Sequence, residues 1–169
     1  MMDRESPNRM LLEVPNLTQN VSLCRVAVAA FAAQLEFTVA EIEELKVAVS
    51  EAVTNAVLHA YDGPGQVRVT AWCSGRCVFV EVQDWGRGIE DVPRAREASF
   101  TTMPGRMGLG FVFIESLTDE MEVVSEVERG TTVRFKKCLG QEQRGDAAAG
   151  DRESEDAGSL PEAKEGRGK

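Results

Sequence analysis

Apolar and polar positions along this chain follow two periods, and the switch between them is marked by prolines, glycines and caps. Leu11-Leu12-Glu13-Val14 is a short strand candidate ended by Pro15, since proline has no N–H to give a sheet. Val21, Cys24, Val28, Phe31 and Leu35 recur at helical spacing, one face of a 3.6-residue turn. Val26, Ala27, Ala29 and Ala30 fill the other faces, and a helix apolar nearly all round is expected to be buried on more than one side. In a small domain this suggests a subunit or partner contact. Arg25 interrupts that surface, either as a snorkelling rim residue or as an anchor for a partner. Thr38-Val39-Ala40-Glu41 is a capping box. It starts a long helix with the stripe Ile42, Leu45, Val49, Val53, Ala56 and Ala60, ended by Asp62-Gly63-Pro64-Gly65.

Period two then takes over. Val67 to Cys73 and Cys77 to Gln83 are strand candidates joined as a hairpin by Ser74-Gly75-Arg76. Asp84 to Gly88 is a glycine-rich turn, and Ser99 to Gly108 is a polar loop without periodicity. Leu109 to Leu117 reads as a helix, and Met121 to Val127 with Thr131 to Lys137 as a closing hairpin about Glu128-Arg129-Gly130. Strands and helices do not alternate in this order. The expected fold is α+β: a two-layer sandwich of a mostly antiparallel sheet with helices on one face.

Composition adds boundaries. The 169 residues are 43% hydrophobic and 28% charged, the balance of an ordinary globular chain. Residues 140–169 contain five basic and eight acidic residues and a single large aliphatic, Leu160. Such a segment buries too little apolar surface to offset its ordering entropy, so it is expected to be a disordered acidic tail. The folding unit is then 10–139, preceded by a flexible 1–9. The formal net charge of −9 argues against direct nucleic-acid binding and against a polybasic membrane anchor. Asp3, Arg4 and Glu5 open the chain, and its longest uncharged apolar run, Val26 to Leu35, has ten residues, against about 20 for a spanning helix. The expected location is cytoplasmic. Cys24, Cys73, Cys77 and Cys138 share the chain with one histidine, and no zinc-site spacing is complete. All four are expected to be small buried hydrophobes under reducing conditions.

Three polar features could carry chemistry. Glu51 and Asn55 are four apart on the long helix and share a face turned away from its apolar stripe. A solvated face is the plain reading of such a pair; a carboxylate base beside an amide metal ligand is the sharper one. Asp84-Trp85-Gly86-Arg87-Gly88 follows a strand, so its Asp could accept a hydrogen bond from a ligand brought close by the glycines, or the glycines could simply serve a turn. Gly108-Leu109-Gly110 opens a helix, where free N–H groups favour phosphate, though two glycines also make a hinge. No GxxxxGK[ST] motif occurs.

Taken in order, these features resemble the ATP-binding (Bergerat) fold shared by gyrase, the Hsp90 chaperone, histidine kinases and MutL. Glu51–Tyr61 (EAVTNAVLHAY), Phe100-Thr101-Thr102, Gly108–Phe111 (GLGF) and Gly130-Thr131-Thr132 are similar to the anti-sigma factor/serine-protein kinase branch, and most specifically to the anti-sigma F factors of endospore formers. The resemblance runs from about Leu11 to Leu139. Two departures stand out: Ala60 where the family commonly has Gly, and a shorter segment between Phe100 and Gly108.

The resemblance implies roles by position. Asn55 would carry Mg²⁺, and Glu51 would be the general base for a protein serine attacking the γ-phosphate of ATP. Asp84 would accept from the adenine amine, with Gly86 and Gly88 letting the backbone close on the base. Gly108, Leu109 and Gly110 would meet the phosphates, Thr131 would lie near adenine, and Thr101 and Arg106 would belong to a lid, with Arg106 reaching the γ-phosphate. ATP/ADP and Mg²⁺ are the implied cofactors. The implied partners are a sigma factor of sigma F type, a STAS-domain anti-anti-sigma factor and a second copy of the chain, with Arg25 in the partner surface. An ATP-dependent binding module without kinase activity and a stress-response (sigma B type) anti-sigma kinase are the alternatives. A histidine kinase fits less well, because His59, the one histidine, lies inside the long helix.

Overall fold

The computed structural model describes residues 8–97 and 109–140. The expected flexible N-terminus (1–9) and acidic tail (140–169) fall outside them except at residues 8, 9 and 140, and the expected lid between Phe100 and Gly108 falls outside them altogether. In chain order the elements are β1 (Arg9–Pro15), α1 (Asn20–Ala32), α2 (Val39–His59), β2 (Gln66–Ser74), β3 (Cys77–Asp84), α3 (Val92–Ala95), α4 (Gly110–Leu117), β4 (Glu120–Glu126) and β5 (Gly130–Cys138). The strands hydrogen-bond in the order β1-β2-β3-β5-β4, and every neighbouring pair is antiparallel. The fold is α+β, as the order of elements predicts.

Burial follows the strand period. Val78, Val80, Val82 and Asp84 of β3 are buried, and so are Thr131, Val133, Phe135 and Lys137 of β5. The alternate positions form the sheet's other face, where Trp72 stacks on Phe79 with ring centroids 5.3 Å apart. Arg134 bridges Glu81 and Glu122 on the same face. An antiparallel sheet can keep one face wet in this way.

Helix α2 is the keystone of the covered face. Thr38 caps it, with Glu41 N–H donating to the Thr38 hydroxyl and Thr38 N–H to the Glu41 carboxylate at 2.7 Å. Leu45, Ala48, Val49, Ala52, Val53, Ala56 and Val57 are all buried, because α1 and α4 pack on either side of it. Helix α1 buries Cys24, Val28, Phe31 and Ala32 and leaves Leu23 51% and Val26 56% exposed, so the described residues cover one side of it only.

The cysteine expectation is corrected. Cys24 is buried and free, and Cys73 is free and partly buried, but Cys77 and Cys138 are disulfide-bonded. They are opposed in the β3–β5 register. Antiparallel pairing brings together residues 61 apart, which spacing along the chain does not reveal. The short helix α3, capped by Asp91 accepting from Arg94 N–H at 3.0 Å, is also additional to the predicted elements.

Candidate functional site

One face of α2 forms the floor of a cavity of about 940 Å³. Glu51, Asn55 and His59 all line it. Their spacing of four residues sets them in a row roughly 6 Å apart, so the row is about 12 Å long.

At the Glu51 end the row meets the start of α4. A Cβ on Gly110 would lie 3.1 Å from Glu51 Oε2 and 3.3 Å from Asn55 Nδ2; glycine is what lets the helix start this close to both polar groups. The N-cap residue Leu109 makes no side-chain cap hydrogen bond. First-turn N–H groups without a side-chain acceptor suit an anion, and the helix dipole adds to that preference.

At the His59 end the row meets Asp84. Its carboxylate is 6% exposed and accepts at Oδ1 from Gly86 N–H (3.0 Å) and Thr131 N–H (3.2 Å). Both bonds engage one oxygen, which leaves Oδ2 for an incoming donor. Burial pushes the Asp84 carboxyl above its ordinary value, and the two backbone donors pull it part of the way back. The turn after Asp84 is clamped on two sides. Arg87 N–H donates to the Ala60 carbonyl at the end of α2 (2.7 Å), and Glu128 N–H donates to the Arg87 carbonyl (2.8 Å). Gly86 lies so near the Ala60 carbonyl that a side chain there would collide with it. Tyr61 tightens the same corner: its hydroxyl accepts from Trp85 N–H at 2.8 Å and donates to the Gln66 carbonyl at 2.6 Å.

The structure therefore brings Glu51, Asn55, Asp84, Gly88, Leu109, Gly110 and Thr131 to one cavity. Gly86 is not in its lining and packs on the end of α2 instead. Thr101, Arg106 and Gly108 lie outside the described residues. Arg25 sits on α1, half-buried, donating to Ser22 Oγ at 3.3 Å, with its Nε enclosed and unpartnered. Three further residues line the cavity that the sequence reading did not assign to it: His59, Arg87 and Arg94. His59 was legible, being one further helical turn along the Glu51–Asn55 face. Arg94 was not, because it arrives on α3.

Among the described residues no cluster of three or more His, Cys, Asp or Glu could hold a metal ion. A cation here would take the Asn55 amide oxygen and complete its shell with oxygens of a bound ligand. A hard, oxygen-preferring ion such as Mg²⁺ fits that donor set. No helix among the described residues is long and apolar enough to cross a membrane.

Comparison with known proteins places the chain in a family. The profile of the histidine kinase-like ATPase domain matches residues 14–137. The chain is 46% identical to the anti-sigma F factor of Anoxybacillus flavithermus over 78% of its own length and 93% of the relative's. It is 42% identical to that of Bacillus subtilis, over 79% of this chain and 94% of the relative. Among solved structures, the RsbU and RsbW domains of a Mycobacterium tuberculosis protein superpose with a TM-score of 0.59 at 21% identity, covering 80% of this chain and 33% of that one. The mycobacterial sensor histidine kinase MprB superposes with a TM-score of 0.52 at 20% identity, covering 76% of this chain and 97% of that one. Those two likenesses are of fold.

Proposed function

We propose, from the premise that this chain belongs to the histidine kinase-like ATPase domain family and within it to the anti-sigma F factors, that it is a nucleotide-dependent anti-sigma factor and a protein serine kinase. In this reading it binds and inhibits a sporulation sigma factor of sigma F type. It also transfers the γ-phosphoryl of ATP to a serine of its STAS-domain anti-anti-sigma antagonist. The supporting observation is the row Glu51–Asn55–His59, with Gly110 against one end and Asp84 at the other.

ATP lies along that row with adenine at Asp84. The exocyclic amine donates to Oδ2, a bond guanine cannot make because it carries a carbonyl at that position. The phosphates lie at the start of α4, where backbone N–H groups carry much of the charge. Asn55 would hold Mg²⁺, whose contribution would be to neutralise charge at the phosphates. Glu51 accepts the serine hydroxyl proton as the oxygen attacks, which needs only a carboxylate beside the phosphate end. Phosphoryl transfer is chiefly positioning and charge neutralisation, and the cavity supplies both. The half-exposed Leu23 and Val26, beside Arg25 on α1, form the surface for the sigma factor, the antagonist and a second copy of the chain.

The test uses labelled ATP, the antagonist and full-length chain. Glu51→Gln is expected to slow phosphoserine formation by about 10²–10⁴-fold while nucleotide binding stays near the parent value. Transfer at the parent rate in that variant rejects Glu51 as the base. Sigma capture with ATP but without any phosphoserine identifies a binding module alone.

A further inference from the structure

The bond between Cys77 and Cys138 joins the first residue of β3 to the last of β5. Both residues are partly exposed, on the sheet face that no helix among the described residues covers. The other two thiols differ. Cys24 is fully buried on α1 and its thiol is pushed up to about 11 by burial; burial also raises the thiol of Cys73, which packs against the core. Cys24 is out of reach, and Cys73, though partly exposed, is held toward its thiol form; exchange needs a reachable thiolate.

Position gives the bond its consequence. It closes a sequence separation of 61, and that loop carries Asp84, Gly88, Leu109, Gly110 and Thr131, which is most of the cavity wall apart from α2. The seven residues from Cys77 to Asp84 span about 23 Å at the rise of a strand, so the bond lies far from the base end of the cavity.

We propose that Cys77 and Cys138 form a reversible thiol–disulfide exchange site, a covalent modification that staples the site-bearing loop without entering the nucleotide cavity. One thiolate of the pair attacks a low-molecular-weight disulfide and expels one small thiolate, leaving a mixed disulfide. The second protein thiolate attacks the protein sulfur of that mixed disulfide and expels the other small thiolate. Two protein thiols are oxidised by two electrons, one small disulfide is reduced to two thiols, and the two cysteine protons end on the leaving thiolates. The closed form restricts the unfolded chain, so it is the more stable form. Neither cysteine lines the cavity and the strand holds the bond about 23 Å from Asp84, so nucleotide affinity is expected to differ between the two forms by about twofold or less. None of this depends on the activity proposed above.

The experiment reduces and desalts the full-length chain, equilibrates it with mixtures of reduced and oxidised glutathione, quenches with acid and alkylates under denaturing conditions. The chain is expected to take four labels under reducing conditions and two under oxidising ones, with Cys24 and Cys73 labelled and the Cys77 and Cys138 peptides linked. The melting temperature rises with oxidation by on the order of 10 °C and falls back on adding a dithiol. Four labels at every ratio overturn the proposal. So does a bond that includes Cys24 or Cys73, or one that joins two chains. Cys77→Ser and Cys138→Ser should each take three labels under reducing conditions, stop at a glutathione adduct on the remaining cysteine under oxidising ones, show no linked peptides and lose the thermal response. Should either fail to fold, the Cys24→Ser/Cys73→Ser chain keeps the test open by passing from two labels to none.

Discussion

Asp84 shows how one residue can be costly to the fold and useful to a ligand. Burial raises its carboxyl above the ordinary 3.8, so the native state holds that proton more tightly than the unfolded chain does. Its contribution to stability is therefore complete below 3.8 and is lost as pH rises from there through the higher native value. Asn at this position has no proton to lose and keeps an oxygen for the Gly86 and Thr131 donors. Asp84→Asn is thus expected to melt at or above the parent temperature at pH 7, with that part of the acid dependence flattened. ATP affinity should fall by roughly ten- to a hundredfold, since a hydrogen bond to a charged acceptor contributes about 1.5–3 kcal/mol. Thermal melts from acid to neutral pH, paired with calorimetric titration, check both halves. A variant that binds ATP like the parent removes Asp84 from the base site.

Elements are held in place here by a few polar contacts that the strand and helix periods do not show. Lys137 is 8% exposed on the covered face of β5. It donates to Glu44 of α2 at 2.6 Å and to the Leu117 carbonyl at the end of α4 at 2.9 Å. One side chain thus ties both site-bearing helices to the sheet and caps the second of them. Glu44 is 44% exposed and can rehydrate, so the ion pair contributes little. The lost cap and the cavity left by the stem matter more. Lys137→Ala is expected to destabilise by about 1–3 kcal/mol, read as a fall of several degrees in melting temperature. Helix α1 gives the opposite expectation. Leu23 and Val26 are half-exposed, so Leu23→Ser/Val26→Ser should shift stability by only about 0.5 kcal/mol while sharply weakening capture of the sigma factor in a pull-down with ATP. Unchanged capture would move the partner surface off α1.

At the scale of the whole molecule, the fold builds its cavity from elements far apart in sequence: α2, the end of β3, the start of α4 and the start of β5. A ligand that bridges them binds only the folded state, so it must stabilise it. ATP or ADP with Mg²⁺ at a hundredfold excess over Kd is expected to add about 2.7 kcal/mol, a rise of several degrees in melting temperature. GTP at the same concentration should give a smaller rise, because guanine offers a carbonyl where Asp84 needs a donor. Equal shifts with ATP and GTP would contradict adenine selection. The net charge of −9 fits the proposed role at the same scale, in which transcription is controlled by holding a protein instead of DNA.

Much of this architecture was legible before any coordinates. Local rules suffice for the capping box at Thr38, the strand alternation about Gly75 and the helical spacing of Glu51 and Asn55, because each depends on residues within a turn or a hairpin of one another. The shared order of the polar motifs carried the family, and with it the expectation of a nucleotide site. Contacts between distant segments were another matter. That Cys77 meets Cys138, that Lys137 reaches both α2 and α4, and that Arg94 joins the cavity wall all depend on strand register and helix docking. The same holds for Gly86. Its place in a DxGxG motif suggested approach to a ligand, but its nearest neighbour is the carbonyl of Ala60. Sequence periodicity says which face of an element is apolar; register and docking, set by the packing of all the elements together, say what that face meets.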